Sequence, residues 1–316
     1  MTTQNIALVL GATGGIGGEM ARTLLARGWQ VRALHRTRSG KDEGIDWIKG
    51  DAMIASDVRA AAQGVAVIVH AVNPPGYKNW GKLVLPMIDN TIEAARATGA
   101  RIILPGTVYN FGPDVLPNIL ETSTQNPITA KGKIRAEMER RLRMASQHGL
   151  KVLIVRAGDF FGPSAGNSWF AQAMAKPGAP VTAITYPGKK GVGHQWTYLP
   201  DMAETVMRLI ETDALEPFSV FHMKGHWDAD GTQMIAAIRR VVGKPNLPVK
   251  KFPWKLMKLL VPFVVMFREL REMRYLWKVP VYMSNDRLVA ALGAEPHTPL
   301  DQAVRSALIG QGCLRE

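Results

Sequence analysis

Apolar residues along the chain fall into short runs separated by glycines and amphipathic stretches, beginning with Ile6 to Leu10. Five consecutive apolar positions with no polar alternation predict a strand buried on both faces. Glycines follow at 11, 14, 15 and 17, and Ile16, Met20, Leu24 and Leu25 then share one helical face as far as the stop signal Gly28. Gln30 to Leu34 predicts a second strand, Asp46 to Lys49 a third and Val65 to His70 a fourth, with a helix capped by Ser56 running to Gln63. A long helix is expected over Asn79 to Thr98, a strand over Arg101 to Leu104, a helix over Asn126 to His148 and a strand over Lys151 to Val155. Strands that alternate with helices in this way predict an α/β fold with a doubly wound parallel sheet.

The regularity ends after Phe161. Gly162 to Gly193 is rich in Gly and Pro, a composition suited to loops beyond the carboxyl edge of a sheet. Around Phe252 to Lys278 the pattern becomes basic and amphipathic, and Ser284 to Leu308 predicts two short helices split at Glu295-Pro296. No internal repeat or low-complexity segment interrupts the order.

Composition narrows the class. A chain of 316 residues, 47% hydrophobic, can bury the core of one large or two small domains. The single cysteine, Cys313, allows no intrachain disulfide and no cysteine-based metal cluster, so no metal is expected and a reducing, cytoplasmic setting fits best. Ile6 to Leu10 runs directly into glycine, unlike a secretory leader, and the apolar run Leu259 to Phe267 is about half the ~20 residues of a membrane span. The net charge of +13 comes from scattered Lys and Arg, with no run longer than Lys189-Lys190 or Arg239-Arg240. Nucleic acid is therefore not an expected partner, whereas an anionic ligand is. The basic stretch, with Trp254, Phe263 and Phe267 on its apolar face, resembles a peripheral membrane helix but equally a lobe packed on its own domain; membrane contact is not expected.

The glycine cluster carries the first chemistry. Gly11, Gly14 and Gly17 lie between a strand and a helix, where absent side chains allow a tight turn and let a pyrophosphate approach the helix amides. Strand, turn, helix and second strand arrive within the ~30 residues such a unit needs. The spacing G-x-x-G-x-x-G, with Ala12 and Thr13 in its first gap, resembles the extended, epimerase-like branch of the short-chain dehydrogenase/reductase superfamily. The resemblance implies a Rossmann sheet, with a dinucleotide-binding domain over 1–165 and 194–224 and a substrate-binding lobe over 166–193 and 225–316. It makes Gly11, Ala12, Thr13, Gly14, Gly15, Ile16 and Gly17 the expected phosphate-side contacts.

Cofactor choice is expected at the end of the second strand. A fold selecting NAD usually places Asp or Glu there for the ribose 2′-hydroxyl. Here the strand leads into His35-Arg36, with no acid before Asp42. Arg36 can pair with a 2′-phosphate, so NADP (NADPH) is expected in preference to NAD. By the same resemblance Asp51, followed by Ala52, should accept from the adenine amino group. Ala71, Val72 and Asn73 should flank the nicotinamide ribose, and Gly158, in Arg156-Ala157-Gly158-Asp159-Phe160-Phe161-Gly162-Pro163, should lie along the carboxamide.

The catalytic residues depart from the family pattern. The family uses a Ser or Thr after the fifth strand, then Tyr and Lys four residues apart on the next helix. Thr107 falls at the first position and Lys133 at the last, but Thr129 stands where the tyrosine should be. An aliphatic hydroxyl cannot replace a phenol, whose pKa of ~10 can be tuned toward neutrality. Tyr109 is the nearest phenol, either a substitute acid or an aromatic packed past the strand end, and Lys133 could instead pair with Glu137 one turn on. The expected protein is an NADP(H)-binding oxidoreductase or epimerase-like enzyme acting on a carbonyl or carbinol carbon. The alternative is a non-catalytic NADP(H)-dependent sensor. Expected partners are a small-molecule substrate and, at most, a second copy of the chain in a homodimer.

Overall fold

The computed structural model describes residues 5–74, 79–212, 215–255 and 272–315. The chain forms two compact units, the first made of Met1–Gly106, Lys133–Arg156 and Ala203–Phe221, the second of Thr107–Gly132, Ala157–Met202 and His222–Glu316.

The first unit is built on an eight-stranded sheet of β1 (Ile6–Leu10), β2 (Gln30–His35), β3 (Gly40–Asp42), β4 (Ile45–Lys49), β5 (Val67–His70), β6 (Arg101–Thr107), β8 (Val152–Ala157) and β12 (Phe218–His222). Its order is β12-β8-β6-β5-β1-β2-β4-β3. From β1 the chain builds outward to β2 and β4, then crosses back to β5 and continues to β6, so order reverses between β1 and β5. Ligands of such sheets bind outside the carboxyl ends of the strands at that reversal. Pairing is parallel between β1 and β2, β1 and β5, β2 and β4, and β5 and β6. The edge strand β3 departs from the all-parallel expectation and pairs antiparallel with β4. Glu43 and Gly44 have φ of 49° and 81°. Two successive residues with positive φ make the tight turn that reverses the chain.

Helices α1 (Gly15–Ala26), α2 (Ala55–Ala61), α3 (Trp80–Thr98), α4 (Ala130–Gln147) and α5 (Leu199–Ile210) follow. Ser56 does not cap α2: Ile54 holds the N-cap position and makes no side-chain bond there. Leu8, Leu10, Ile68, Ile88, Ile102 and Leu142 are fully or almost fully buried in one core cluster with Met138 and Ala145 of α4. A buried ion pair ties α4 to β8, with Arg156 Nη2 donating to Glu139 Oε2 at 2.6 Å. Gly106 is what admits it, since a Cβ there would lie 2.6 Å from Arg156 Cγ.

The second unit is assembled from short pieces. Strands β9 (Asp159–Phe161), β11 (His194–Tyr198) and β13 (His226–Asp228) form one sheet, β10 (Ile184–Tyr186) pairs with β14 (Val249–Lys251), and β7 (Asn118–Ile119) pairs with β15 (Tyr282–Met283). Helices α6 (Gln233–Val241), α7 (Asp286–Leu292) and α8 (Leu300–Gly310) complete it. Phe161, Trp169, Phe170, Trp196 and Trp277 build its core. The expected basic helix lies largely outside the described residues, because 256–271 are not among them. Among the described residues no helix is long and apolar enough to cross a membrane.

Candidate functional site

In the first unit the glycine turn sits at the point where strand order reverses. Gly11 has φ of +89°, a left-handed conformation that favours glycine, and a Cβ on it would lie 2.7 Å from the Ala71 carbonyl oxygen. The Ala71 amide in turn donates to Leu10 O at 3.0 Å, so the ends of β1 and β5 are held edge to edge. Gly17 is the tightest position: its Cβ would come within 2.1 Å of Gly11 O. Gly14 is looser, with Gly11 O at 3.3 Å from a Cβ there. Ala12 is buried, Thr13 and Gly14 are exposed, and Gly15 and Ile16 are half-buried. Helix α1 starts with no side-chain cap and no acid in its first turn. An uncapped helix start with Cβ atoms missing beside it fits a phosphate group.

Beyond β2, His35 Nδ1 accepts from the amides of Thr37 at 3.2 Å and Arg38 at 3.1 Å, which folds the following loop back. The Arg38 guanidinium lies over the Trp47 ring, 4.8 Å from its centroid. Arg36 is exposed and, among the described residues, has no ion-pair partner. Asp51 Oδ1 accepts from the Met53 amide at 2.9 Å. Ala52 packs its methyl into the core, and its carbonyl accepts from Asn90 Nδ2 at 2.9 Å. Val72 packs against the same core, and Asn73 Oδ1 accepts from Arg135 Nη2 at 3.0 Å.

His70 ends β5 immediately before Ala71. Thr91 Oγ1 donates to Met87 O at 3.0 Å, so it accepts from His70 Nδ1–H at 2.8 Å. Burial, with the Arg135 charge as a lesser cause, pushes the His70 pKa down to about 3. The imidazole is therefore neutral wherever the protein is folded near pH 7.

Lys133 lies in the first turn of α4 and is exposed. The expected alternative pairing with Glu137 is not made; that carboxylate accepts from Arg140 at 2.6 Å and Arg141 at 2.8 Å.

In the second unit Thr107 Oγ1 accepts from the Tyr109 amide at 3.3 Å, opening a single 3-10 turn over Val108–Asn110. Tyr109 packs its ring on the cluster of Val108, Phe111, Ile119 and Met283. Thr129 is buried, and its Oγ1 accepts from the Gly132 amide at 3.0 Å. With α4 beginning at Ala130, this makes Thr129 the helix N-cap. The helix starts four residues later than the sequence pattern indicates. Gly132 is needed as glycine, since a Cβ would lie 2.3 Å from the Tyr109 carbonyl oxygen.

Gly158 allows close strand contact, a Cβ there being 2.3 Å from Gln195 O. Next to it, Asp159 Oδ2 lies 2.8 Å from His194 Nε2, both nearly buried. The His194 ring stacks on Trp277 with centroids 3.7 Å apart. Sequence reasoning missed His194, which carries no local signal. A second phenol, Tyr275, was also missed. Its hydroxyl donates to Phe111 O at 3.0 Å, and burial pushes its pKa up to about 12, so it is a strut for the 107–112 segment. Asp201 lies inside the first turn of α5 and accepts from the Thr298 amide and hydroxyl.

The NAD dependent epimerase/dehydratase family model matches residues 7–222, more than half of the chain. The chain belongs to that family. Its extended short-chain dehydrogenase/reductase character agrees with the mostly parallel sheet and with the glycine turn at the strand-order reversal. A 3-diazoavenalumate denitrifying reductase from Streptomyces sp. is 26% identical over 310 residues, covering 92% of this chain and 96% of that protein. Among solved structures, a putative epimerase from Burkholderia cenocepacia superposes with a TM-score of 0.73 at 19% identity, covering 98% of this chain and 99% of the other. UDP-glucose 4-epimerase from Bifidobacterium longum, solved with NAD+ and UDP, gives 0.74 at 15% identity, covering 98% and 100%. These structural likenesses establish the fold.

Proposed function

We propose that this family member is an NADPH-dependent reductase of a small molecule, and that Thr129 marks it as one working without the usual tyrosine. The observation that carries the cofactor half is the turn Gly11–Gly17, packed against Ala71 at the strand-order reversal and followed by an uncapped helix. Amides at the start of α1 hold the pyrophosphate. Arg36, exposed and without an acidic neighbour in its loop, pairs with the 2′-phosphate, and the second carboxylate oxygen of Asp51 takes the adenine amino group. Lys133 binds the ribose hydroxyls and places a positive charge near the reacting centre. When bound, the nicotinamide supplies a hydride to, or takes one from, a substrate carbon.

Thr107 accepts through its oxygen, which leaves its hydroxyl proton to donate to a substrate oxygen. It can orient that oxygen but has no acidity with which to protonate it. For a carbonyl acceptor, Tyr109 or a water must give the proton. Thr129 cannot do so either, because its aliphatic hydroxyl is no more acidic than that of Thr107. A site so arranged favours an acceptor that takes hydride without protonation at oxygen. The Streptomyces relative is named for a denitrifying reduction of a diazo compound. Hydride addition at a diazonium carbon forms a C–H bond, breaks the C–N bond and releases N2, and it balances with no proton.

NADPH oxidation by the purified protein, measured with a panel of aldehydes, ketones and aryl diazonium ions, tests the reading. Turnover is expected, with Lys133→Met lowering it far more than it weakens NADPH binding. Tyr109→Phe should lower carbonyl reduction by about 10²–10⁴-fold if its phenol is the acid. NADPH binding with no oxidation of any panel member, accompanied by a cofactor-dependent change in stability or oligomeric state, would instead identify a sensor.

A further inference from the structure

Within the second unit, three side chains from distant parts of the chain converge. One ring nitrogen each from His226 and His297 and one carboxylate oxygen of Asp201 all lie within 4.8 Å of one another. The two imidazoles stand with centroids 4.4 Å apart. His226 is 7% exposed, and its Nε2 has no hydrogen-bond partner. A buried ring nitrogen left unmet is costly unless something bonds to it.

We propose that Asp201, His226 and His297 form a binding site for a divalent d-block cation, with Zn2+ the best match. Two imidazoles and one carboxylate are the donors such ions take, and hard cations such as Mg2+ prefer oxygen alone. Zinc bonds of about 2.0–2.1 Å set tetrahedral donors about 3.3–3.4 Å apart. The donors lie within 4.8 Å of one another, so binding requires them to close by up to about 1.5 Å, and His297 is the exposed member of the three.

The neighbouring hydrogen bonds hold the ligands in place. Asp201 Oδ2 accepts from the Thr298 amide at 2.8 Å and Oδ1 from its hydroxyl at 2.6 Å, which fixes the residue after His297 beside the carboxylate. Glu295 accepts from the amides of Lys224 at 2.9 Å and Gly225 at 2.7 Å, which ties the approach to His297 to the approach to His226. Gly225, with φ of +54° and no Cβ to strike Trp196 O at 2.4 Å, allows that turn. Asp228, on the same strand as His226, accepts from the amides of Thr232, Gln233 and Met234 and is not among the converging donors. His226 and His297 also line a cavity of about 480 Å³, together with Lys224 and Glu295. Three protein ligands leave a fourth position for water, or for an anion that Lys224 can approach. The expectation of no metal rests on the cysteine count, which excludes thiolate sites alone, and this donor set contains no thiolate.

The full chain, stripped with chelator and dialysed, is titrated with ZnCl2 by calorimetry and with CoCl2 by visible absorption. One ion per chain is expected, with the intense cobalt bands of four-coordination. His297→Ala, a change at an exposed position, and Asp201→Asn should each weaken Zn2+ by more than the roughly 10–100-fold typical of losing an outer-shell partner. His226→Gln should match His297→Ala. Absence of stoichiometric binding to the parent chain overturns the proposal. So does binding that His297→Ala leaves unchanged, since the ion then sits elsewhere. Neither readout depends on NADPH or on turnover.

Discussion

Thr129 Oγ1 accepts the Gly132 amide at 3.0 Å, so the residue at the family's tyrosine position is the N-cap of the helix that carries Lys133. Loss of such a cap costs typically about 1 kcal/mol. Thr129→Tyr is therefore expected to lower the unfolding free energy from urea titration by about 1 kcal/mol, while Thr129→Ser stays within a few tenths. In the same Thr129→Tyr protein, carbonyl-dependent NADPH oxidation should rise, because a phenol now stands one turn before Lys133. A folded variant with no gain would remove the support for a carbonyl substrate.

The two glycines of the phosphate turn should fail in different ways. Gly17→Ala puts a Cβ 2.1 Å from Gly11 O, against backbone that cannot yield. About 1–3 kcal/mol of stability should go with it. Gly14→Val meets only Gly11 O, at 3.3 Å from its Cβ, and Gly14 has an ordinary extended φ of −87°. It should melt close to the parent while losing NADPH binding. Fluorescence titration together with thermal melting separates the two, and normal binding by Gly14→Val would place the phosphate elsewhere.

Arg36→Asp replaces an exposed guanidinium with a carboxylate where a 2′-phosphate would sit. NADPH affinity should fall roughly ten- to a hundredfold, as expected for a lost charged hydrogen bond of about 1.5–3 kcal/mol, and NADH should become the better ligand. Equal affinity of the parent protein for both cofactors would end this reading.

Acid should destabilise the protein through His70. Its folded pKa of about 3 lies below the ordinary 6.5, so the unfolded chain takes up a proton that the folded chain refuses. The stability it contributes is complete above pH 6.5 and is lost as pH falls from there toward 3, at up to about 1.4 kcal/mol per pH unit. Urea midpoints measured at pH 7 and pH 4.5 should converge in His70→Asn. An unchanged difference would assign the acid sensitivity to other groups.

The unit from β1 through α1 to β2 is legible in the sequence because each of its signals is local. A five-residue apolar run ended by glycine reads as a strand buried on both faces, and glycines at 11 and 17 are required by contacts within the same turn and with the adjoining strand. The absence of an acid after β2 is equally local. The helix holding Lys133 was legible as a helix, but its start was not. Ile128 and Thr129 extend the helical pattern, and only the Gly132 amide turning to Thr129 Oγ1 shows where the helix begins. Asp201, His226 and His297 lie farthest from what sequence could show. Each stands alone in its own segment, without the short spacing that marks a ligand pair on one helix or hairpin. Their convergence follows from the bonds of Glu295 and Asp201 across chain segments, contacts formed only when the second unit packs. Periodicity and local sterics thus decided the elements and the phosphate turn, whereas long-range hydrogen bonding decided which side chains meet.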